Sequence, residues 1–91
     1  MPVLLVPSVL RGEVDGAARL EIDSAGTVRA VLDQVAARWP RLERRVRDEA
    51  GELRRYVNVF VDGEGVRRLA GQETPVTDRA EVHILPSVAG G

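Results

Sequence analysis

The chain has 91 residues, with 13 basic and 14 acidic side chains, a net charge of -1 and 44% hydrophobic residues. That is enough for one compact domain and too little for two cores. All 13 basic residues are arginine and the acids balance them, which removes the electrostatic case for a nucleic-acid or acidic-membrane partner. With no cysteine and one histidine, disulfide frameworks, thiolate nucleophiles and multi-histidine metal sites are excluded as well.

The apolar start, Pro2 to Leu10, lacks a basic leader, contains Pro2 and Pro7, and falls far short of a membrane span, so the sequence reads as cytoplasmic. Val3 to Val6 reads as a first strand ending near Ser8, and Arg11 to Gly16 as a hairpin connection. Ala18, Leu20 and Ile22 alternate with Arg19, Glu21 and Asp23, the period of a second strand with one wet face.

Val28, Val31, Leu32, Val35, Ala36 and Trp39 fall on one helical stripe. Thr27 is the expected N-cap and Pro40 the expected stop, giving a helix from about Val28 to about Trp39 with Trp39 in the core. Leu42 and Val46 suggest a short, half-exposed helical turn. The arginines around them, Arg41, Arg44, Arg45 and Arg47, read as a solvated face among Glu43, Asp48 and Glu49.

Tyr56 to Val61 is the clearest strand, closed by Asp62 and Gly63 as a hairpin end. Val66 to Leu69 reads as a short edge strand, Gly71 to Ala80 as a loop, and Val82 to Leu85 as the last strand. The expected division is a domain over 1–86 and a flexible tail over 87–91. This order, with one main helix for one face of a mixed sheet of four to five strands, follows α+β, β-grasp logic. Periodicity alone leaves a ferredoxin-like half or another small α+β sheet open.

No side chain reads as catalytic. His83 reads as a surface or interface residue rather than a base, and the acidic, glycine-rich Asp62 to Gly65 is too short for a calcium loop. The chemical feature is the end of the sequence. Gly90 and Gly91 form the thinnest backbone available, fit for a channel that excludes side chains. Ser87 to Gly91 spans roughly 17 Å at about 3.3 to 3.6 Å per residue. A terminal carboxylate is a poor acyl donor at neutral pH, so activation has to come from a partner. If Val57, Val59, Val61, Val82 and Ile84 face the helix, then Tyr56, Asn58, Phe60, His83 and Leu85 share the open side as a candidate docking face.

Tyr56-Val57-Asn58-Val59-Phe60-Val61-Asp62 and Ile84-Leu85-Pro86-Ser87-Val88-Ala89-Gly90-Gly91 closely resemble the ubiquitin-like sulfur carriers of the MoaD/ThiS family. Val6-Pro7-Ser8-Val9-Leu10-Arg11 is similar to the first strand of the cysteine-biosynthesis (CysO) branch. One departure is Asp78-Arg79-Ala80-Glu81, where the family commonly has Asp-Gly-Asp.

The resemblance implies a β-grasp protein that is a cosubstrate rather than an enzyme. An E1-like adenylating enzyme would use ATP to activate the Gly91 carboxylate, and a sulfur donor would convert it to a thiocarboxylate. Val88, Ala89 and Gly90 would enter the partner's active site. A sulfur-accepting synthase would follow, in the cysteine pathway using pyridoxal phosphate, with a zinc metalloprotease releasing the product; all three cofactors would belong to partners. Molybdopterin, thiazole or other sulfur-containing products use the same chemistry. A ubiquitin-like modifier and a non-catalytic β-grasp adaptor are the competing readings.

Overall fold

The computed structural model describes residues 1–23 and 25–87. Strand β1 (Val3–Leu5) pairs antiparallel with β2 (Arg19–Glu21). A two-residue strand, β3 (Gly26–Thr27), leads into helix α1 (Val28–Arg38), and α2 (Pro40–Val46) follows at once. After β4 (Val57–Val61) and β5 (Glu64–Gly65), the chain passes through β6 (Pro75–Val76) to β7 (Glu81–Pro86). The main sheet runs β2-β1-β7-β4-β5, with β1 and β7 parallel at its centre and the other pairs antiparallel. β3 and β6 form a separate antiparallel pair.

Alternation sets the core. Leu4, Leu20, Val57, Val59, Val61, Val82 and Ile84 point to one side, where they join Val28, Val31, Leu32 and Val35 of α1 in a single buried cluster. The Thr27 hydroxyl accepts a 3.1 Å bond from the Ala30 amide, so the expected cap is formed. This is an α+β β-grasp architecture, with α1 as the main helix lying on a five-stranded mixed sheet.

Several expectations are corrected. β1 and β2 form the expected antiparallel hairpin, but its connection contains a 3-10 helix over Ser8–Val14, in which Leu10 and Val14 turn inward to join the core. α1 ends before Pro40 as expected, but helical structure resumes there. The backbone bends at Trp39, and Pro40 then serves as the first residue of α2, where its missing N–H costs nothing. Leu42 and Val46 are fully buried rather than half-exposed, so a second helix, packed beside α1 and the Ser8–Val14 segment, adds to the core. Trp39 is only partly buried, with the Arg38 guanidinium 4.3 Å from its ring centroid.

The edge strand sits two residues earlier than expected. Asp62 and Gly63, with φ of 49° and 87°, make a two-residue type I′ connection that returns the chain directly at Glu64. Val66–Arg68 is then a 3-10 turn that buries Val66. Gly71 to Ala80 is not wholly loop, since it contains the 3-10 turn Gly71–Glu73 as well as β6. The Asp78-Arg79-Ala80 departure is absorbed by a turn closed by the Ala80 N–H on the Thr77 carbonyl at 3.1 Å. No residue there has positive φ, so no glycine is required.

Arg47 is the clearest reversal. It is 5% exposed instead of solvated. Its guanidinium donates to Glu43 Oε2 at 2.8 Å, Asp33 Oδ1 at 3.0 Å and Gln72 Oε1 at 3.0 Å. Gln72 donates in turn to the Gly51 carbonyl at 2.8 Å. The network joins α1, α2, the chain around Gly51 and the Gly71–Glu73 turn, satisfying a cation that would otherwise be costly to bury. Burial raises the Glu43 carboxyl above its ordinary range, against the opposing pull of Arg47.

Candidate functional site

The face of the sheet away from the helices is assembled by register. Across β7 and β4, Phe60 pairs with His83 and Asn58 with Leu85. Because Val59 and Ile84, paired between them, are buried, these four side chains lie on the opposite side. Phe60, His83 and Asn58 are half-buried, Leu85 is 38% exposed, and Tyr56, just before β4, is 47% exposed. All five sequence-identified face residues therefore lie on this sheet pair or at its end.

One apolar member escaped the sequence reading. Parallel pairing of β1 with β7 sets Leu5 beside His83, producing the row Leu5-His83-Phe60-Gly65 across four strands. The alternation that would have revealed Leu5 was hidden by the apolar run Val3 to Val6, since the outward residues there are as hydrophobic as the inward ones. At the far end of β1, β2 and β7, Val3 pairs with Glu21 and Glu81, so the row grades into an acidic border.

The root of the tail is fixed. The Ser87 amide donates to the Tyr56 carbonyl at 2.6 Å, one step beyond the Val57-Pro86 pair. Asn58 Nδ2 reaches Ser87 Oγ at 3.4 Å. β4 thus holds β7 to its last residues and Ser87 after them, at the Leu85 and Tyr56 end of the sheet pair. Val88, Ala89, Gly90 and Gly91 lie outside the described residues. Among the described residues, no group of three or more His, Cys, Asp or Glu is arranged to hold a metal ion. No helix there is long and apolar enough to cross a membrane.

Comparison with known proteins agrees with this geometry. The ThiS family model matches residues 5–91. The sulfur carrier protein CysO of Mycobacterium tuberculosis is 35% identical over 88 residues, covering 94% of each chain. Small archaeal modifier protein 1 of Haloferax volcanii is 36% identical over 73 residues, 80% of this chain and 79% of that one. A chain in the crystal structure of the Amycolatopsis orientalis BexX/CysO complex superposes with a TM-score of 0.90 at 34% identity, covering 100% of both chains. With its β-grasp sheet, fixed tail root and end-to-end match, the chain belongs to the ThiS/MoaD family of ubiquitin-like sulfur carriers.

Proposed function

We propose that this protein carries sulfur as a thiocarboxylate on Gly91. The carboxylate of Gly91 attacks the α-phosphorus of ATP on an E1-like partner, pyrophosphate leaves, and a sulfur nucleophile then displaces AMP from the acyl carbon. Adenylation replaces a poor leaving group with a good one, and the ionised sulfur becomes a nucleophile without any cysteine in this chain. The observation that carries the reading is the tail root: Ser87 is pinned to β4 at 2.6 Å, and the four residues after it end in two glycines. A fixed root with a slender extension delivers a main-chain group into a partner's pocket at little cost in search entropy.

Cysteine biosynthesis is the pathway we favour, on the strength of the CysO relative. There the thiocarboxylate sulfur would attack an activated serine derivative on a pyridoxal-phosphate synthase, and a zinc metalloprotease would release cysteine from the carrier. ATP, pyridoxal phosphate and zinc all sit on partners in this account. Tyr56, Asn58, Phe60, His83 and Leu85 serve as the docking face, with Val88, Ala89 and Gly90 as the segment entering the active site. The similarity to small archaeal modifier protein 1 favours a second reading, transfer of Gly91 to lysines of target proteins.

The test is loading of tail variants by the cognate adenylating enzyme with ATP and sulfide. A chain extended by one residue beyond Gly91, or lacking Gly90 and Gly91, should fold normally and fail to load. Undiminished loading of the extended chain overturns the terminal-carboxylate mechanism, and lysine-linked conjugates in place of a thiocarboxylate favour the modifier reading.

A further inference from the structure

Beside the tail root, the β4–β5 edge of the open face holds a cleft of 530 Å³, lined by Asn58, Phe60, Glu64, Gly65, Arg67 and Arg68 among others. Its apolar element is the Phe60 ring, packed so close over β5 that a Cβ on Gly65 would lie 3.4 Å from the ring. Its charged element is a pair of arginines in different states. Arg67 Nη2 donates to the Arg54 and Val57 carbonyls, each at 2.8 Å, on either side of the Tyr56 carbonyl that holds Ser87. That fixes the guanidinium in place and leaves Nε and Nη1 without an acceptor among the described residues. Arg68 is exposed and has no hydrogen bond or ion pair there.

We propose that this cleft is a second recognition element for the adenylating partner, accepting a carboxylate side chain from an acidic loop of that enzyme next to an apolar residue that packs on Phe60. The inference deepens the carrier reading and rests on it. Charge complementarity supports it, since two arginines line the cleft against one glutamate, Arg67 anchored by backbone carbonyls and Arg68 with no hydrogen bond or ion pair among the described residues, so an incoming carboxylate meets a net positive lining. Continuity supports it too, because Phe60 and Asn58 belong both to the cleft and to the docking face. A loop of protein fits better than a phosphate group. Glu64 lines the same cleft and would repel a dianion more strongly than a single carboxylate flanked by apolar surface.

The test is calorimetric binding of the full chain to its adenylating enzyme at about 50 mM and about 300 mM salt, across one Debye regime. Arg68→Glu should weaken binding about tenfold at the lower salt, with the difference shrinking at the higher. Arg45→Glu, the same charge change at an exposed arginine on α2, should leave affinity unchanged. Equal losses from both variants, or no loss from Arg68→Glu while Leu85→Asp abolishes binding, overturns the cleft and spares the docking face. Wild-type protein that does not bind the enzyme overturns both. Titration of the free carrier with inorganic phosphate supplies a last arm: amide shifts at Gly65 and Arg68 in wild type but not in Arg68→Glu would make this a small-anion site and contradict the proposal.

Discussion

Arg47 and Glu43 show how one buried arginine and its half-buried carboxyl partner organise a small protein. Replacing Arg47 with Ala strands Glu43, Asp33 and Gln72 without their shared donor. The expected cost is about 3 kcal/mol, discounted for the exposure of Asp33, and thermal unfolding should fall by about 10–20 °C. Burial raises the Glu43 carboxyl above 4.5 and Arg47 pulls it down, so removing Arg47 should move it higher still. A carboxyl whose folded value is raised holds its proton more tightly in the native state. Its contribution is therefore fully present below 4.5 and lost as pH rises through the raised folded value. Carboxyl-resolved NMR titration checks the direction, and an unmoved Glu43 in Arg47→Ala would contradict the network. Ser87→Pro removes the amide bonded to Tyr56 and should slow loading about tenfold by loosening the tail root, measured as kcat/KM. Neither residue role was legible in the sequence. Arg47 sits among three exposed-looking arginines, and its burial depends on Asp33 and Gln72, distant in sequence and brought to it by folding.

Among the elements, legibility follows the strength of local signals. α1 carries an N-cap, a clean apolar stripe and a proline after its end, and its range is matched to within a residue. The Asp62-Gly63 turn and β4 are equally local, since positive φ at both turn residues favours that dipeptide and the valines alternate without interruption. Where the signal depends on partners, it fails. α2 is seven residues long with only Leu42 and Val46 apolar on its buried side, too short a stripe to separate a half-exposed turn from a core helix. The β5 edge strand and the 3-10 turn after it are distinguished only by how soon the hairpin returns. Leu42→Ala measures this difference: a fully buried leucine should cost about 2–5 kcal/mol in chemical denaturation, whereas a loss below about 1 kcal/mol would place α2 outside the core.

At the scale of the molecule, the fold separates the core side of the sheet from the proposed docking side. The helices cover one side of the sheet, while the other presents Leu5, His83, Phe60 and Leu85 beside the point where the chain leaves β7. Four of the residues named from alternation, Asn58, Phe60, His83 and Leu85, are found there, because period two is strict once strand and core side are known, and Tyr56 lies just before β4. The contribution of β1 and the arginine cleft were not legible, since both depend on which strands lie side by side. Leu85→Asp should keep the native fold, its side chain being 38% exposed, and weaken binding to the adenylating enzyme at least tenfold by calorimetry; unchanged affinity would remove the docking role.

In the proposed function the sulfur resides at the last glycine, Gly91. Intact-protein mass spectrometry with fragment-level localisation, after incubation of the wild-type chain with its adenylating enzyme, ATP and sulfide, tests this most directly. Exchange of one oxygen for sulfur, localised to Gly91, is expected. An unchanged mass with the activating enzyme demonstrably competent, or sulfur found on any other residue, would contradict it.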